Sequence, residues 1–416
     1  MTRTRCFLLL ACAWIAAAPL AIGATLTSEE AAAGESQKSA GEIEFETLAA
    51  EYDAAREAFW QQHAGASADE RVAAFHHRPA VRPYLLCFAS LAECHAGTEL
   101  AAACYAWIVA HDADGAARGA ALSALMQNHT ASLHWINVCP ELARSLTRTS
   151  GDLLVEIASR TPWREVRGHA VFQRAKYLLL RARAADALKH ADGEEFARLT
   201  MQHGAELVGE LLAISIAALE AEAEKLLLRV RAEYEGIALA RDRSLESAAE
   251  SELFELKYLG IGKTAPEIFG LDLNGRDLRL SEFRGKIVVV DFWGSWCEPS
   301  RAMFDSKQAL IERLAPAPFV YLGVNSDAEG RRIQLGTETP WRSWWNGGSP
   351  KGGIAADWNV TAWPTTYLLD HHGTIRYKNV RGEKLAAAID TLLFEMDPKP
   401  RPEVDGAVRD SGFRPL

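Results

Sequence analysis

One cysteine closes an apolar, β-branched run in Val290-Asp291-Phe292-Trp293-Gly294-Ser295-Trp296-Cys297-Glu298-Pro299-Ser300. The run from Lys286 to Phe292 reads as a strand covered on both faces. Pro299 to Leu314 reads as the helix that follows, with Pro299 in its first turn, where a missing N–H costs nothing. A thiol at the mouth of a helix meets unpaired N–H groups and a partial positive charge, and both favour the thiolate. Such thiols titrate at roughly 3.5–7.5, and the thiolate is the nucleophile. Asp291, six residues upstream, is the one carboxylate in the apolar run. Burial would raise its pKa and let it handle protons near the sulfur. The residues thus predict a nucleophilic Cys297 with Asp291 as an acid behind it. That chemistry requires the sulfur to be reachable.

Several elements must hold this pair. Asn274-Gly275 lies between two short apolar segments and predicts a hairpin, since both turn positions tolerate positive φ. Phe319–Val324 reads as a second buried strand, and Thr366–Leu369 and Ile375–Lys378 as two more around a turn at Asp370-His371-His372-Gly373. A helix from Glu383 to Met396 closes the domain. This order predicts an α/β domain over 258–396, a mixed sheet flanked by helices. Residues 45–257 are helical in pattern: Phe45, Leu48, Tyr52, Ala55 and Phe59 share one face, as do Val171, Ala175, Leu178, Ala182 and Ala185. They predict an α-helical domain of six to nine helices without a 34-residue repeat. Residues 1–24, with Arg3 and Arg5 before the apolar run Phe7–Ile22, read as a secretory signal that places the protein outside the cytoplasm. Left uncleaved, the segment would be a membrane tether. Residues 25–44 read as a flexible spacer and 397–416, with four prolines, as a disordered tail.

The Cys297 segment resembles the active site of the thioredoxin superfamily, and 258–396 is similar to its TlpA-like (redoxin) branch of extracytoplasmic thiol–disulfide oxidoreductases. The motif there is Trp-Cys-x-x-Cys after a strand carrying a buried acid, which Asp291 matches. A cis-proline faces the cysteines, and Trp363-Pro364-Thr365 matches it. The resemblance implies a thioredoxin-like fold, Cys297 and Asp291 as catalytic residues, and Trp296, Trp363, Pro364 and Thr365 as substrate contacts. One departure decides the chemistry: Ser300 occupies the position of the second, resolving cysteine. A hydroxyl is not acidic enough to attack a mixed disulfide and cannot form one. Cys297 is therefore expected to perform monothiol exchange, reducing or isomerising disulfides with an external thiol or with a cysteine of the helical domain. The alternatives are a redox-silent polypeptide-binding scaffold, and peroxide reduction of the peroxiredoxin kind. Peroxiredoxins carry a threonine three residues before their cysteine, where this chain has Gly294.

Expected partners are protein or small-molecule thiols and disulfides, with the external reductant undetermined. The 416 residues carry 45 basic and 55 acidic side chains, a net charge of −10, which argues against a general nucleic-acid binder. Of the seven cysteines, Cys87, Cys94, Cys104 and Cys139 cluster in the helical region, as two disulfides or as free buried thiols. No cofactor motif is present, and Cys94-His95 with Cys104 and His111 lacks the short clip of a zinc site. The helical domain reads as a spacer, a docking surface or a dimer contact. Two monothiol sites in a homodimer would suit isomerisation.

Overall fold

The computed structural model describes residues 38–397 except 64, 67–69, 71–73, 75–76, 113–114, 192, 241–242, 330 and 332–338. The signal at 1–24, most of the expected spacer and the tail beyond Asp397 lie outside the described residues. The chain divides into two compact units between Glu250 and Ser251, a few residues before the break expected at 257. The division falls inside the helix Leu245–Phe254, in which Leu245, Ala248 and Ala249 are buried and Phe254 packs on the core of the second unit.

The first unit is helical. Its long helix Arg164–His190 packs against Trp135–Ala143, Arg148–Arg160 and Ile216–Glu233. Val171, Ala175, Leu178, Ala182 and Ala185 are all buried along it, as their three- and four-residue spacing requires. Two expectations need correction. The spacer ends early, since a helix runs from Ala40 to Gln62. A capping box starts it: Ser39 Oγ accepts from the Glu42 N–H at 3.3 Å, and Glu42 Oε2 accepts from the Ser39 N–H at 2.7 Å. The region is also not wholly helical, because Ala238–Ala240 and Arg243–Ser244 pair as a short antiparallel ribbon.

The second unit is an α/β layer structure. We label its strands β1 (Phe269–Leu271), β2 (Asp277–Arg279), β3 (Ile287–Trp293), β4 (Phe319–Asn325), β5 (Arg342–Trp345), β6 (Thr365–Leu369) and β7 (Ile375–Lys378). β1 and β2 form the expected hairpin, but only Gly275 takes positive φ, at +77°. Asp272 does the rest, its Oδ1 accepting from the N–H groups of Asn274 and Arg276, both at 2.9 Å. The other five strands make one mixed sheet in the order β5-β4-β3-β6-β7. β3 runs parallel to β4 and antiparallel to β6, and every residue of β3 is buried. The sequence expectation omitted β5, whose Trp344 is fully buried and donates from Nε1 to the Leu278 carbonyl at 2.8 Å.

Alternation along β3 sorts its side chains between two cores. Val288, Val290 and Phe292 pack with Trp344, Trp358 and Tyr367. Ile287 and Val289 pack with Tyr321 and Trp341 beneath the helices Phe304–Leu314 and Gly382–Met396. Asp291 has the same parity as Ile287 and Val289, so it too points toward the helix Phe304–Leu314.

Candidate active site

β3 ends at Trp293 and the chain turns at once, with the Cys297 N–H donating to the Gly294 carbonyl at 3.1 Å. Cys297 is the N-cap of a helix that runs only from Glu298 to Ala302. The single helix expected from Pro299 to Leu314 breaks at Met303 and resumes at Phe304. Cys297 keeps 7 % of its surface exposed. This corrects the expectation of an open sulfur: the residue is largely covered. Ser300, one turn on, is buried, and its Oγ has no hydrogen-bond partner among the described residues.

The sheet brings the cysteine turn to the proline loop. Because β3 and β6 are antiparallel with Phe292 opposite Thr365, the end of one strand lies beside the start of the other. The Trp363–Pro364 peptide is cis. The Trp296 and Trp363 rings stand 5.8 Å apart at 55°, and Trp296 is 51 % exposed. Thr365 Oγ1 donates to the Ala362 carbonyl at 2.8 Å, and Arg381 donates to the Pro364 carbonyl at 2.6 Å. Cys297, Trp296, Trp363, Pro364 and Thr365 thus gather at one end of the sheet, where β3 finishes and β6 begins. The other five tryptophans of this unit divide as packing demands: Trp293, Trp341, Trp344 and Trp358 are buried, and half-buried Trp345 donates to the Asp327 carbonyl at 3.2 Å.

Asp291 is not the solitary acid expected. Lys307, on the helix that covers its face of the sheet, places Nζ 2.6 Å from Asp291 Oδ2, with both side chains buried. Tyr321 OH donates to the same oxygen at 3.0 Å. Burial and then the Asp291 charge push the Tyr321 phenol well above its ordinary pKa, so it remains a donor. Asp291 Oδ1 has no partner among the described residues. Lys307 left a readable signal, since Phe304, Lys307, Ile311 and Leu314 fall at helical spacing and put an ammonium in an apolar stripe.

The cysteines of the helical unit are all free thiols, which overturns the disulfide alternative. Cys87 and Cys94 are exposed, while Cys104 and Cys139 are buried. The Cys87–Cys94 spacing of seven helical residues spans ~10 Å, beyond disulfide reach. Burial pushes the Cys104 thiol up to about 12 and that of Cys139 higher still. Among the described residues no group of His, Cys, Asp or Glu side chains is arranged to hold a metal ion.

Gly294 has a packing role. A Cβ there would lie 2.4 Å from Trp296 Nε1, because the indole folds back over it. A threonine at this position would require the exposed Trp296 indole to swing away.

The AhpC/TSA family model matches residues 261–378. The thioredoxin-like protein YneN of Bacillus subtilis is 30 % identical over 131 residues, covering 30 % of this chain and 75 % of that protein. The thiol-disulfide oxidoreductase ResA of Bacillus thuringiensis is 26 % identical over 144 residues, 33 % of this chain and 79 % of that one. The thioredoxin domain of a thiol-disulfide oxidoreductase from Bacteroides vulgatus, known by crystal structure, is 25 % identical with a TM-score of 0.30, covering 32 % of this chain and 98 % of that one. By the match of the AhpC/TSA model and by the relative that is 30 % identical over three quarters of its length, the chain belongs to the AhpC/TSA (redoxin) family, among its thioredoxin-like thiol–disulfide oxidoreductases.

Proposed function

We propose that this protein carries out monothiol thiol–disulfide exchange through Cys297, outside the cytoplasm. The observation that carries the reading is that the Cys297 turn and the Trp363–Pro364 loop meet where β3 ends beside the start of β6, with the Trp296 and Trp363 rings 5.8 Å apart, while Ser300 fills the resolving position. The Cys297 thiolate attacks one sulfur of a substrate disulfide. The old S–S bond breaks, the departing thiolate takes a proton from solvent, and a Cys297 mixed disulfide remains. An external thiol, losing its proton, then attacks the substrate sulfur of that bond; a new disulfide forms between the two, the Cys297 thiolate leaves, and the external thiol is the group oxidised in the cycle. Ser300 cannot shorten this path. Trp296 and Trp363 supply an aromatic ledge for an extended polypeptide, held by Pro364 and Thr365. Asp291, tied to Lys307 and Tyr321, anchors the helix behind the cysteine; its contacts favour that part over the proton-carrying one.

The small exposure of Cys297 favours one competing reading, a silent polypeptide-binding surface on the same fold. The two separate in one assay: turnover of a glutathionylated peptide with added small thiol, by the wild type and by Cys297→Ala. Exchange predicts loss of turnover in Cys297→Ala. Equal turnover by both proteins overturns it. Peroxide reduction is disfavoured, because position 294, where peroxiredoxins carry a threonine, is a glycine and offers no hydroxyl.

A further inference from the structure

A second buried carboxylate is tied directly to the cysteine turn. Asp327 lies just past the end of β4 and is 3 % exposed. Its Oδ2 accepts from the Ser295 backbone N–H at 2.8 Å and from Asn325 Nδ2 at 2.6 Å. Its Oδ1 accepts from Ser295 Oγ at 2.5 Å. Its own N–H donates to Asn325 Oδ1 at 3.1 Å, and the adjacent Ser326 N–H donates to the Trp293 carbonyl at 3.0 Å. The ion pairs found among the described residues do not include Asp327. Neutral donors hold this carboxylate, and two of the three belong to Ser295. Hydrogen bonds to a charged acceptor are stronger than neutral ones. The strand-to-helix turn is therefore fastened at Ser295, two residues before Cys297.

We propose that Asp327 is a positioning residue for Cys297, holding the Gly294–Ser295 turn so that the sulfur is presented to the Trp363–Pro364 loop and kept otherwise covered. The proposal rests on the reading of Cys297 as the attacking thiol. Breaking the clamp loosens the turn, with two consequences of opposite sign. Small reagents reach Cys297 more easily. A disulfide substrate, which must be met in one geometry, reacts more slowly, because misplacement of a reacting group is costly in rate.

The test uses the full chain and site-resolved mass spectrometry after iodoacetamide labelling. In Asp327→Asn the carboxamide keeps the size and removes the charge: its oxygen still accepts from the Ser295 N–H, its NH2 meets Ser295 Oγ as a donor, and the charge-assisted hold on the turn is lost. We expect alkylation of Cys297 to rise about tenfold, a local opening from loss of a charge-assisted bond, with Cys104 and Cys139 unchanged. Exchange with a glutathionylated peptide falls at least about tenfold. Ser295→Ala, which keeps the backbone N–H, moves both rates the same way but less. The double variant falls short of the sum of the two single effects, as two ends of one interaction should. Labelling of Cys297 unchanged in Asp327→Asn overturns the proposal. So does a common rise at Cys104, Cys139 and Cys297, which marks global opening. If Asp327→Asn does not fold, Ser295→Ala decides alone by the same labelling. Should the wild type show no exchange, the reading of Cys297 fails, while labelling still decides whether Asp327 holds the turn.

Discussion

Lys307→Met is the perturbation that bears most directly on the acid behind the cysteine. It removes the ammonium 2.6 Å from Asp291 and leaves a carboxylate with no exposed surface and one remaining donor, Tyr321. Methionine nearly matches lysine in volume, so the cavity contribution is small and the electrostatic one dominates. Removing one partner of a buried pair costs about 3–5 kcal/mol, since the charge left behind keeps its desolvation penalty. At ~2–4 °C per kcal/mol for a unit of this size, the thermal transition of the second unit drops by roughly 6–20 °C. Tryptophan fluorescence follows it, because Trp341 packs within 6.0 Å of the Lys307 ammonium and seven of the twelve tryptophans fall in this unit. The double variant Asp291→Asn/Lys307→Met removes both charges, and the carboxamide oxygen that replaces the carboxylate still accepts from Tyr321. It should recover most of the loss, to within about 1.5 kcal/mol of wild type. A cost below about 1 kcal/mol for the single variant would refute the reasoning, as would a double variant that is worse than either single one.

Three further outcomes follow from the same geometry. Ser300→Cys places a thiol one helical turn from Cys297 in a buried position whose hydroxyl has no partner, so an intramolecular 297–300 disulfide should form, read as a loss of two hydrogens in the mass; a variant that stays fully reduced under mild oxidant argues against it. Alkylation of the native protein should modify Cys87 and Cys94 first, with Cys104, its thiol pushed up to about 12, and Cys139 labelled only on unfolding; equal rates at Cys139 and Cys87 contradict the packing. Burial lowers the pKa of His111, His129, His134 and His169 below the ordinary ~6.5. The unfolded chain takes up protons first as pH falls below that value, so the helical unit loses stability from there downward, and His169→Gln should make that loss shallower in melts at pH 8 and 5. A melting temperature that does not change over this range would refute the prediction.

Much of this molecule is legible before any folding is considered. Strand β3 follows from an uninterrupted β-branched run, and the helix faces follow from apolar residues at three- and four-residue spacing, because local periodicity is enforced by burial on one side. The lost resolving thiol is likewise a matter of residue identity at position 300. The capping box at Ser39 and Glu42 is equally legible, as Ser-x-x-Glu ahead of an apolar period, although the composition of 25–44 is that of a spacer. What lay beyond one-dimensional reading depends on partners distant in the chain. Asp291 meets Lys307 only because strand parity turns it toward one helix rather than the other. β5 becomes a strand because β4 offers it an edge, since Arg-Ser-Trp-Trp carries no alternation of its own. Cys297 is covered, and its turn fastened by Asp327 thirty residues later, through hydrogen bonds that exist only once two parallel strands end side by side. Residue types determine which atoms can react. The meeting of strand ends decides how those atoms are held, because a hydrogen bond or an ion pair needs its two groups within about 3 Å, a condition sequence neighbours alone do not meet here.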